Sequence, residues 1–172
     1  MAHAEALAAA QNQTTSCEIV ALQKLELPFF IDHREDGQWP PSKVLEDLYK
    51  KMLDADIIVL ATPLYWFSVS NYMKNFLDHW TTFLRHKEFP MGSHFENTAF
   101  VSLVVGGGPA ENPAELPIYH SMKASIAYIK AQCMGGIYGV GLREGSPDEN
   151  TLSKVKAVDL LKWKNSKEER YL

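Results

Sequence analysis

The fold is decided by residues 54–80, which read DADIIVLATPLYWFSVSNYMKNFLDHW. Residues 57–61 are a continuous apolar run, which is typical of a strand buried on both faces of a parallel sheet. Residues 62–68 follow as a loop, and beyond the loop apolar residues recur at helical spacing. The core-facing positions of this predicted long helix are Val69, Met73, Phe76, Leu77, Trp80 and Leu84. A strand, a loop and a helix in this order form the repeating unit of α/β folds.

Similar units extend to both sides of this segment. Ser42 is placed to cap a helix that ends at Asp54, and the run Gly106-Gly107-Gly108-Pro109 ends another apolar strand. Further helices are predicted over 2–12, 117–134 and 151–163, and further strands over 18–22, 98–105 and 137–141. The strict alternation predicts one α/β domain over residues 1–172. It has a parallel sheet, helices on both faces and a frayed tail at 164–172.

Composition restricts the function of this domain. The 172 residues carry a formal net charge of −4 with scattered Lys and Arg, which argues against nucleic acid or an anionic membrane as a partner. No apolar run reaches the roughly 18 residues of a membrane span. Cys17 and Cys133 form no CxxC pair and the histidines lack ligand spacing, so we expect no disulfide framework and no metal site. These features indicate a cytoplasmic protein.

Two predicted loops lie where open α/β sheets bind ligands, beyond the carboxyl ends of the strands. Residues 62–68 place three aromatic residues in succession, although loops are ordinarily polar. Such a loop suits a flat aromatic ligand such as an isoalloxazine ring, but its rings could equally pack a satellite core or a subunit interface. Residues 106–109 are rich in glycine, which permits close approach of the main chain to a ligand or simply a flexible turn.

Residues 54–80 resemble the signature of the NADPH-dependent FMN reductase family. The shared pattern is an acidic residue, an apolar strand, Pro63, an apolar residue, Tyr65-Trp66, and later Ser, Lys, Phe and Asp. The order of the other elements extends the resemblance from residue 2 to residue 163. The resemblance implies a flavodoxin-like, doubly wound fold, with FMN as cofactor and NAD(P)H as co-substrate. It also implies hydride transfer from the nicotinamide to flavin N5.

The resemblance further implies a homodimer or homotetramer. It also implies a small-molecule electron acceptor, which could be a quinone, an azo or nitro compound, or free flavin. The cofactor-binding residues that it implies are Pro63, Leu64, Tyr65, Trp66, Phe67, Gly106, Gly107 and Gly108. No catalytic side chain is assigned, because the loops are rich in aromatic and backbone groups and poor in ionisable ones.

One departure from the family pattern lies at the N-terminus. The family begins with a strand and a loop that binds the FMN phosphate at the first helix, and no such segment precedes residue 2. The chain could be truncated or mis-started, could be a degenerate relative with weak or no flavin binding, or could receive a strand from another chain. A non-catalytic binding or oligomerisation module is therefore the alternative to an oxidoreductase, and a flavodoxin-like electron carrier is a third hypothesis.

Other residues carry structural predictions. Residues 27–41 contain no cysteine, so an iron–sulfur cluster is not expected. Asp78 and His79 are adjacent on a helix and do not face each other, so His79 is assigned a structural or interface role. Trp39 and Trp163 are predicted to be packing anchors.

Overall fold

A computed structural model of the chain describes residues 2–11, 16–86, 91–141, 151, 155, 158–165 and 170–171. Within these residues four parallel strands form one sheet in the order β1-β2-β3-β4. The strands are β1 (Ile57–Pro63), β2 (Ala99–Gly106), β3 (Gln132–Val140) and β4 (Arg170–Tyr171). The helices are α1 (Ala2–Ala10), α2 (Lys43–Leu53), α3 (Asn71–Asp78), α4 (Trp80–Arg85), α5 (Met91–His94), α6 (Pro117–Tyr128) and α7 (Leu160–Asn165), with 3-10 turns at Leu22–Lys24 and Pro113–Glu115.

Helices cover both faces of the sheet, as predicted. Side chains of β2 alternate between two apolar clusters: Phe100 and Val104 join one, and Val101 and Leu103 join the other. The larger cluster contains residues of α2 to α6, and the smaller one contains residues of α1 and α7. The predicted parallel α/β architecture is therefore confirmed. Among the described helices, none has the length and hydropathy of a membrane span.

The helices begin where the sequence indicates. Ser42 caps α2 by accepting a hydrogen bond from the Leu45 N–H at 3.4 Å, and Lys50 and Lys51 lie in the last turn, where the helix dipole favours cations. Ser70 caps α3 in the same way, accepting from the Met73 N–H at 3.3 Å. These caps fix where the chain leaves the preceding loops.

Strand β1 lies at the edge of the described sheet. It pairs with β2, and no described strand lies on its other side. Leu60 and Thr62 are buried, whereas Ala61 and Pro63 are exposed. The prediction that residues 57–61 are buried on both faces is therefore wrong, because an edge strand has a neighbour on one side only.

The predicted strand over 18–22 is also wrong. Residues 16–21 have no regular structure, and Leu22 begins a 3-10 turn. A strand requires a ladder partner, and no described strand pairs with this segment. Val20 and Leu22 pack against the larger apolar cluster instead.

One predicted helix is interrupted and another ends earlier than expected. The helix after residue 68 breaks at His79 into α3 and α4, since the His79 N–H is shared between the carbonyl oxygens of Asn75 and Leu77. The helix predicted over 117–134 stops at Tyr128, because Lys130 adopts a left-handed φ of 59° and turns the chain into β3.

Gly135 and Gly136 directly follow the predicted helix and suggest its end, but they lie inside β3. A Cβ on Gly136 would stand 2.1 Å from the Tyr119 ring, so the missing side chain permits α6 to pack closely on the strand. The strand predicted over 137–141 consequently begins earlier, at Gln132.

The C-terminal part differs from expectation where it is described. Thr151 and Val155 are helical, Val158 and Asp159 are not, and α7 then extends to Asn165. In the tail expected to fray, Arg170–Tyr171 pair with β3. The rest of the predicted helix over 151–163 falls outside the described residues, as do residues 142–150.

Candidate functional site

The two loops singled out from the sequence lie side by side. Pro63 of β1 stands opposite Val105 of β2 in the parallel register. The Leu64 N–H extends this pairing by donating to the Val105 carbonyl oxygen at 2.8 Å. Both loops therefore start from the same edge of the sheet, which is the edge where open α/β folds bind ligands.

Residues 65–68 form a two-residue hairpin turn, here called the aromatic turn. The Tyr65 N–H donates to the Ser68 carbonyl at 3.0 Å, and the Ser68 N–H donates back to the Tyr65 carbonyl at 2.9 Å. The two central residues, Trp66 and Phe67, have φ of 48° and 62°. Positive φ at both positions is the geometry of a type I′ turn, which ordinarily selects Asn-Gly. Bulky L-residues there cost roughly 1–2 kcal/mol each.

The rings of the aromatic turn are not packed. The exposed fractions are 60% for Tyr65, 96% for Trp66 and 59% for Phe67. Packing of a satellite core by these rings, one of the three interpretations left open by the sequence, is therefore wrong within the described chain. The remaining explanations for exposed rings in a strained turn are contact with a ligand and contact with another subunit.

Thr62 fixes the residues on either side of the aromatic turn. Its buried hydroxyl accepts a hydrogen bond from the Ser70 N–H at 3.0 Å and donates to the Pro63 carbonyl at 3.1 Å. Ser70 in turn caps α3, so strand, turn and helix are joined through two short side chains. The sequence analysis assigned no role to Thr62, because its bond to Ser70 depends on the path of the turn between them.

The second loop, residues 106–109, offers a backbone donor. The Gly106 carbonyl accepts from the Gly141 N–H at 2.9 Å, on the β3 side. Because C=O and N–H point in opposite directions in a trans peptide, the Gly107 N–H is directed toward β1 and the aromatic turn. Side-chain positions at Gly107 and Gly108 have no atom within 4 Å, so the space beside this backbone is open.

Tyr138 was also missed by the sequence analysis. It lies on β3, and its hydroxyl donates to the Gly108 carbonyl at 2.8 Å. A Cβ on Gly106 would stand 1.9 Å from that hydroxyl, which explains why glycine is required there. Burial raises the pKa of Tyr138, so the donor stays protonated. A tyrosine near the end of a strand beside a glycine run is the signal that could have been noticed.

The two loops offer apolar side chains and the polar groups of the main chain. Residues 62–68 and 106–110 contain no Asp, Glu, Lys, Arg or His. Over the described part of the chain, no group of three or more His, Cys, Asp or Glu side chains could hold a metal ion. The loops can therefore hold a flat ring and donate N–H bonds to it, but they offer no charged acid or base.

Residues expected to be structural lie outside these loops. The His79 ring bonds the Pro28 carbonyl through Nε2 at 2.8 Å. The Asn75 amide donates to the same carbonyl and accepts from the Phe30 N–H, both at 2.9 Å. Trp163 is buried in the smaller apolar cluster and Trp39 stacks on Phe30. These contacts agree with the predicted structural roles.

The two loops lie at the carboxyl edge of a parallel α/β sheet, where proteins of this class bind nucleotide cofactors. The sequence profile of NADPH-dependent FMN reductases matches residues 1–140. The chain therefore belongs to the NADPH-dependent FMN reductase family, whose members are FMN-dependent NAD(P)H oxidoreductases.

Individual relatives agree with this assignment. YwqN of Bacillus subtilis (strain 168), named as an NAD(P)H-dependent FMN-containing oxidoreductase, is 26% identical over 143 residues, or 82% of this chain and 79% of that protein. A protein of Herminiimonas arsenicoxydans named FMN-dependent NADH:quinone oxidoreductase is 31% identical over 88 residues, or 49% of this chain and 43% of that one.

A solved structure shares the fold. It is an FMN-dependent NADH-azoreductase from Bacillus anthracis in complex with FMN, with a TM-score of 0.57 and 12% identity over 90% of this chain and 85% of that one. At this identity the likeness concerns the flavodoxin-like fold alone.

The residues of the two loops fit the ring of FMN. The exposed rings of the aromatic turn offer apolar walls, and no atom lies within 4 Å of the position that a Cβ on Gly107 would occupy, which leaves room for a ring beside the backbone. A cradle for the FMN phosphate is not found among the described residues, in which α1 begins at Ala2.

Proposed function

We propose that the aromatic turn and the glycine loop hold the isoalloxazine ring of FMN at the carboxyl edge of β1 and β2. The observation that carries this proposal is the strained and exposed conformation of Trp66 and Phe67. An Asn-Gly pair at these two positions would relieve the strain and remove the exposed rings, so the rings serve something other than folding. The remaining residues of the proposed site are Pro63, Leu64, Tyr65, Gly106, Gly107 and Gly108.

The chain's own groups have separate roles in this proposal. The rings of Tyr65, Trp66 and Phe67 exclude water from the cofactor ring. The Gly107 N–H donates toward an electron-rich edge of that ring, which a neutral donor stabilises without a buried charge. Leu64, tied to Val105 and packed against the larger cluster, sets the depth of the site. FMN, when bound, supplies the capacity to accept a hydride from NAD(P)H and to pass electrons onward.

We further propose that the electron acceptor is a small flat molecule such as a quinone, with azo compounds, nitro compounds and free flavin as further candidates. The openness of the aromatic turn supports this choice, since a second flat molecule can reach it from solvent. The quinone oxidoreductase name of the relative from H. arsenicoxydans points to the same class.

An anaerobic assay tests this function. The chain with FMN is mixed with NADH or NADPH, loss of oxidised-flavin absorbance is followed, and a water-soluble quinone is then added. We expect the chain to accelerate bleaching beyond free FMN at the same concentration, and the quinone to restore the absorbance without a partner protein. Bleaching no faster than with free FMN would exclude the oxidoreductase. A folded chain that fails to bind FMN would favour the non-catalytic module.

Self-association as a homodimer or homotetramer also belongs to the proposal. Phe29, Ile31 and Tyr72 are large apolar residues with exposed fractions of 85%, 65% and 52%. Apolar side chains exposed to this extent are typical of surfaces that contact another molecule. Light scattering at two protein concentrations tests it, and a monomeric mass at both would contradict it. We also propose a cytoplasmic location, with which two cysteines outside any disulfide, Cys17 and Cys133, are compatible.

A further inference from the structure

The side chain of Tyr138 connects the third strand to the glycine loop. Tyr138 stands opposite Val104 in the β2–β3 register, and its ring passes over Gly106 to reach the Gly108 carbonyl at 2.8 Å. Gly108 lies two residues beyond Gly106, the last residue of β2 that pairs with β3. It therefore fixes a part of the loop that the sheet itself does not hold.

A second hydrogen bond, at the end of the β2–β3 pairing, fixes the other side of the glycine loop. The Gly141 N–H holds the Gly106 carbonyl at 2.9 Å, and the Tyr138 hydroxyl holds the Gly108 carbonyl. Gly107 lies between these two fixed carbonyls. Because glycine has more backbone freedom than any other residue, three in succession need such anchors to keep one conformation.

We infer that Tyr138 is a positioning residue of the flavin site, which holds the glycine loop so that the Gly107 N–H faces the aromatic turn. The inference rests on the proposed function, because the loop must be ordered for the cofactor ring. A loop ordered before binding spares the cofactor the entropic cost of ordering it, so the hydroxyl should raise FMN affinity. Burial raises the pKa of Tyr138, and the hydroxyl accordingly donates throughout the neutral pH range.

A second tyrosine provides a matched control. The Tyr119 hydroxyl donates to the Ile137 carbonyl, also at 2.8 Å, and its ring also occupies the space beside a glycine of β3, Gly136. Tyr119 is a buried residue of α6, and its hydroxyl donates to a carbonyl within β3 rather than to the glycine loop. Removing either hydroxyl thus deletes one bond to a backbone carbonyl, but only one of these bonds reaches the proposed site.

The experiment compares Tyr138→Phe with Tyr119→Phe. Amide hydrogen exchange of residues 106–108 is measured without FMN, the FMN dissociation constant is measured by flavin fluorescence, and thermal unfolding is followed by circular dichroism. For Tyr138→Phe we expect faster exchange in the loop and an FMN dissociation constant raised about three- to tenfold, the value of one neutral hydrogen bond. For Tyr119→Phe we expect a lower melting temperature with loop exchange and FMN affinity unchanged.

Three outcomes would overturn the inference. An unchanged dissociation constant in Tyr138→Phe, or equal losses of affinity in both variants, would reduce Tyr138 to a structural residue and leave the proposed function intact. Failure of the folded parent chain to bind FMN would overturn the proposed function and this inference with it.

Discussion

The chain uses aromatic residues in two opposite ways. Beneath β1 and β2 a buried aromatic cluster packs ring against ring, with centroid distances from 4.3 to 5.9 Å. Its members are Tyr49, Phe76, Trp80, Phe83, Phe95 and Phe100. At the carboxyl edge of the same two strands, the aromatic turn leaves its rings in solvent and strains the backbone that carries them.

The difference distinguishes residues that serve the fold from residues that we propose serve a site. In the buried cluster, packing removes apolar surface from water and stabilises the chain. In the aromatic turn, Trp66 and Phe67 occupy a turn that favours Asn-Gly, and their rings gain no burial. Natural sequences break such local rules mainly where function requires it.

The largest expected effect is on stability. Phe83 is fully buried and stacks on Tyr49 at 4.3 Å, so Phe83→Ala should lower the free energy of unfolding by about 3–5 kcal/mol. Trp66→Ala removes a ring that is 96% exposed and should change stability by less than about 0.5 kcal/mol. Urea denaturation of both variants measures this contrast. Comparable losses would show that the aromatic turn is a packing element.

The next substitution is expected to raise stability and to lower FMN affinity. The double substitution Trp66→Asn with Phe67→Gly installs the residues that a type I′ turn favours, and it should raise the free energy of unfolding by about 1–3 kcal/mol. The same change removes two walls of the proposed site, so FMN affinity should fall at least about tenfold. Thermal melting measures the gain in stability, and FMN titration measures the loss of affinity. A loss of both properties together would contradict the comparison.

A smaller effect concerns alkaline pH and the buried cluster. Burial raises the pKa of Tyr49 to about 12 from the ordinary tyrosine value of about 10, so the folded state favours the protonated phenol. The stability from this difference is complete below pH 10 and is lost as pH rises toward 12, on the order of 1 kcal/mol per pH unit. Tyr49→Phe should flatten this part of the stability profile. Tyr72→Phe, which alters an exposed residue, is the control and should keep the decline.

The smallest stability effect is expected in the glycine loop. Gly107 has open space where a Cβ would lie, so Gly107→Ala should leave stability unchanged or raise it by up to about 1 kcal/mol. The added methyl group would project from the backbone beside the proposed ring site and should weaken FMN binding. Gly37→Ala is a control in an exposed turn, where φ of 68° predicts a loss of stability and no change in binding.

Local signals predicted much of the fold. The Ser42 cap, the amphipathic helix after it and the apolar strand at 99–106 could be identified because neighbouring residues determine them. Residues 18–22 were wrongly predicted as a strand, since a strand also depends on a partner elsewhere in the chain. Gly135 and Gly136 suggested the end of a helix, yet they lie in β3, where Tyr119 packs on Gly136.

The candidate site could be located from the sequence only in outline. Three consecutive aromatic residues after an apolar strand indicated the loop, because composition alone makes such a loop unusual. The positive φ of Trp66 and Phe67 could not be predicted, since neither residue favours that conformation. The contact of Tyr138 with Gly108 joins residues 30 positions apart and appears only once β3 lies beside β2.

We propose that the aromatic turn keeps its strained conformation because its rings hold a flavin. This is tested by an FMN titration of the purified chain and of the variant carrying Trp66→Asn and Phe67→Gly, followed by flavin fluorescence, with folding checked by circular dichroism. We expect saturable binding by the parent chain and at least about tenfold weaker binding by a variant that is folded and melts at a higher temperature. Equal binding by both chains would contradict it, because the rings would then have no part in holding the cofactor.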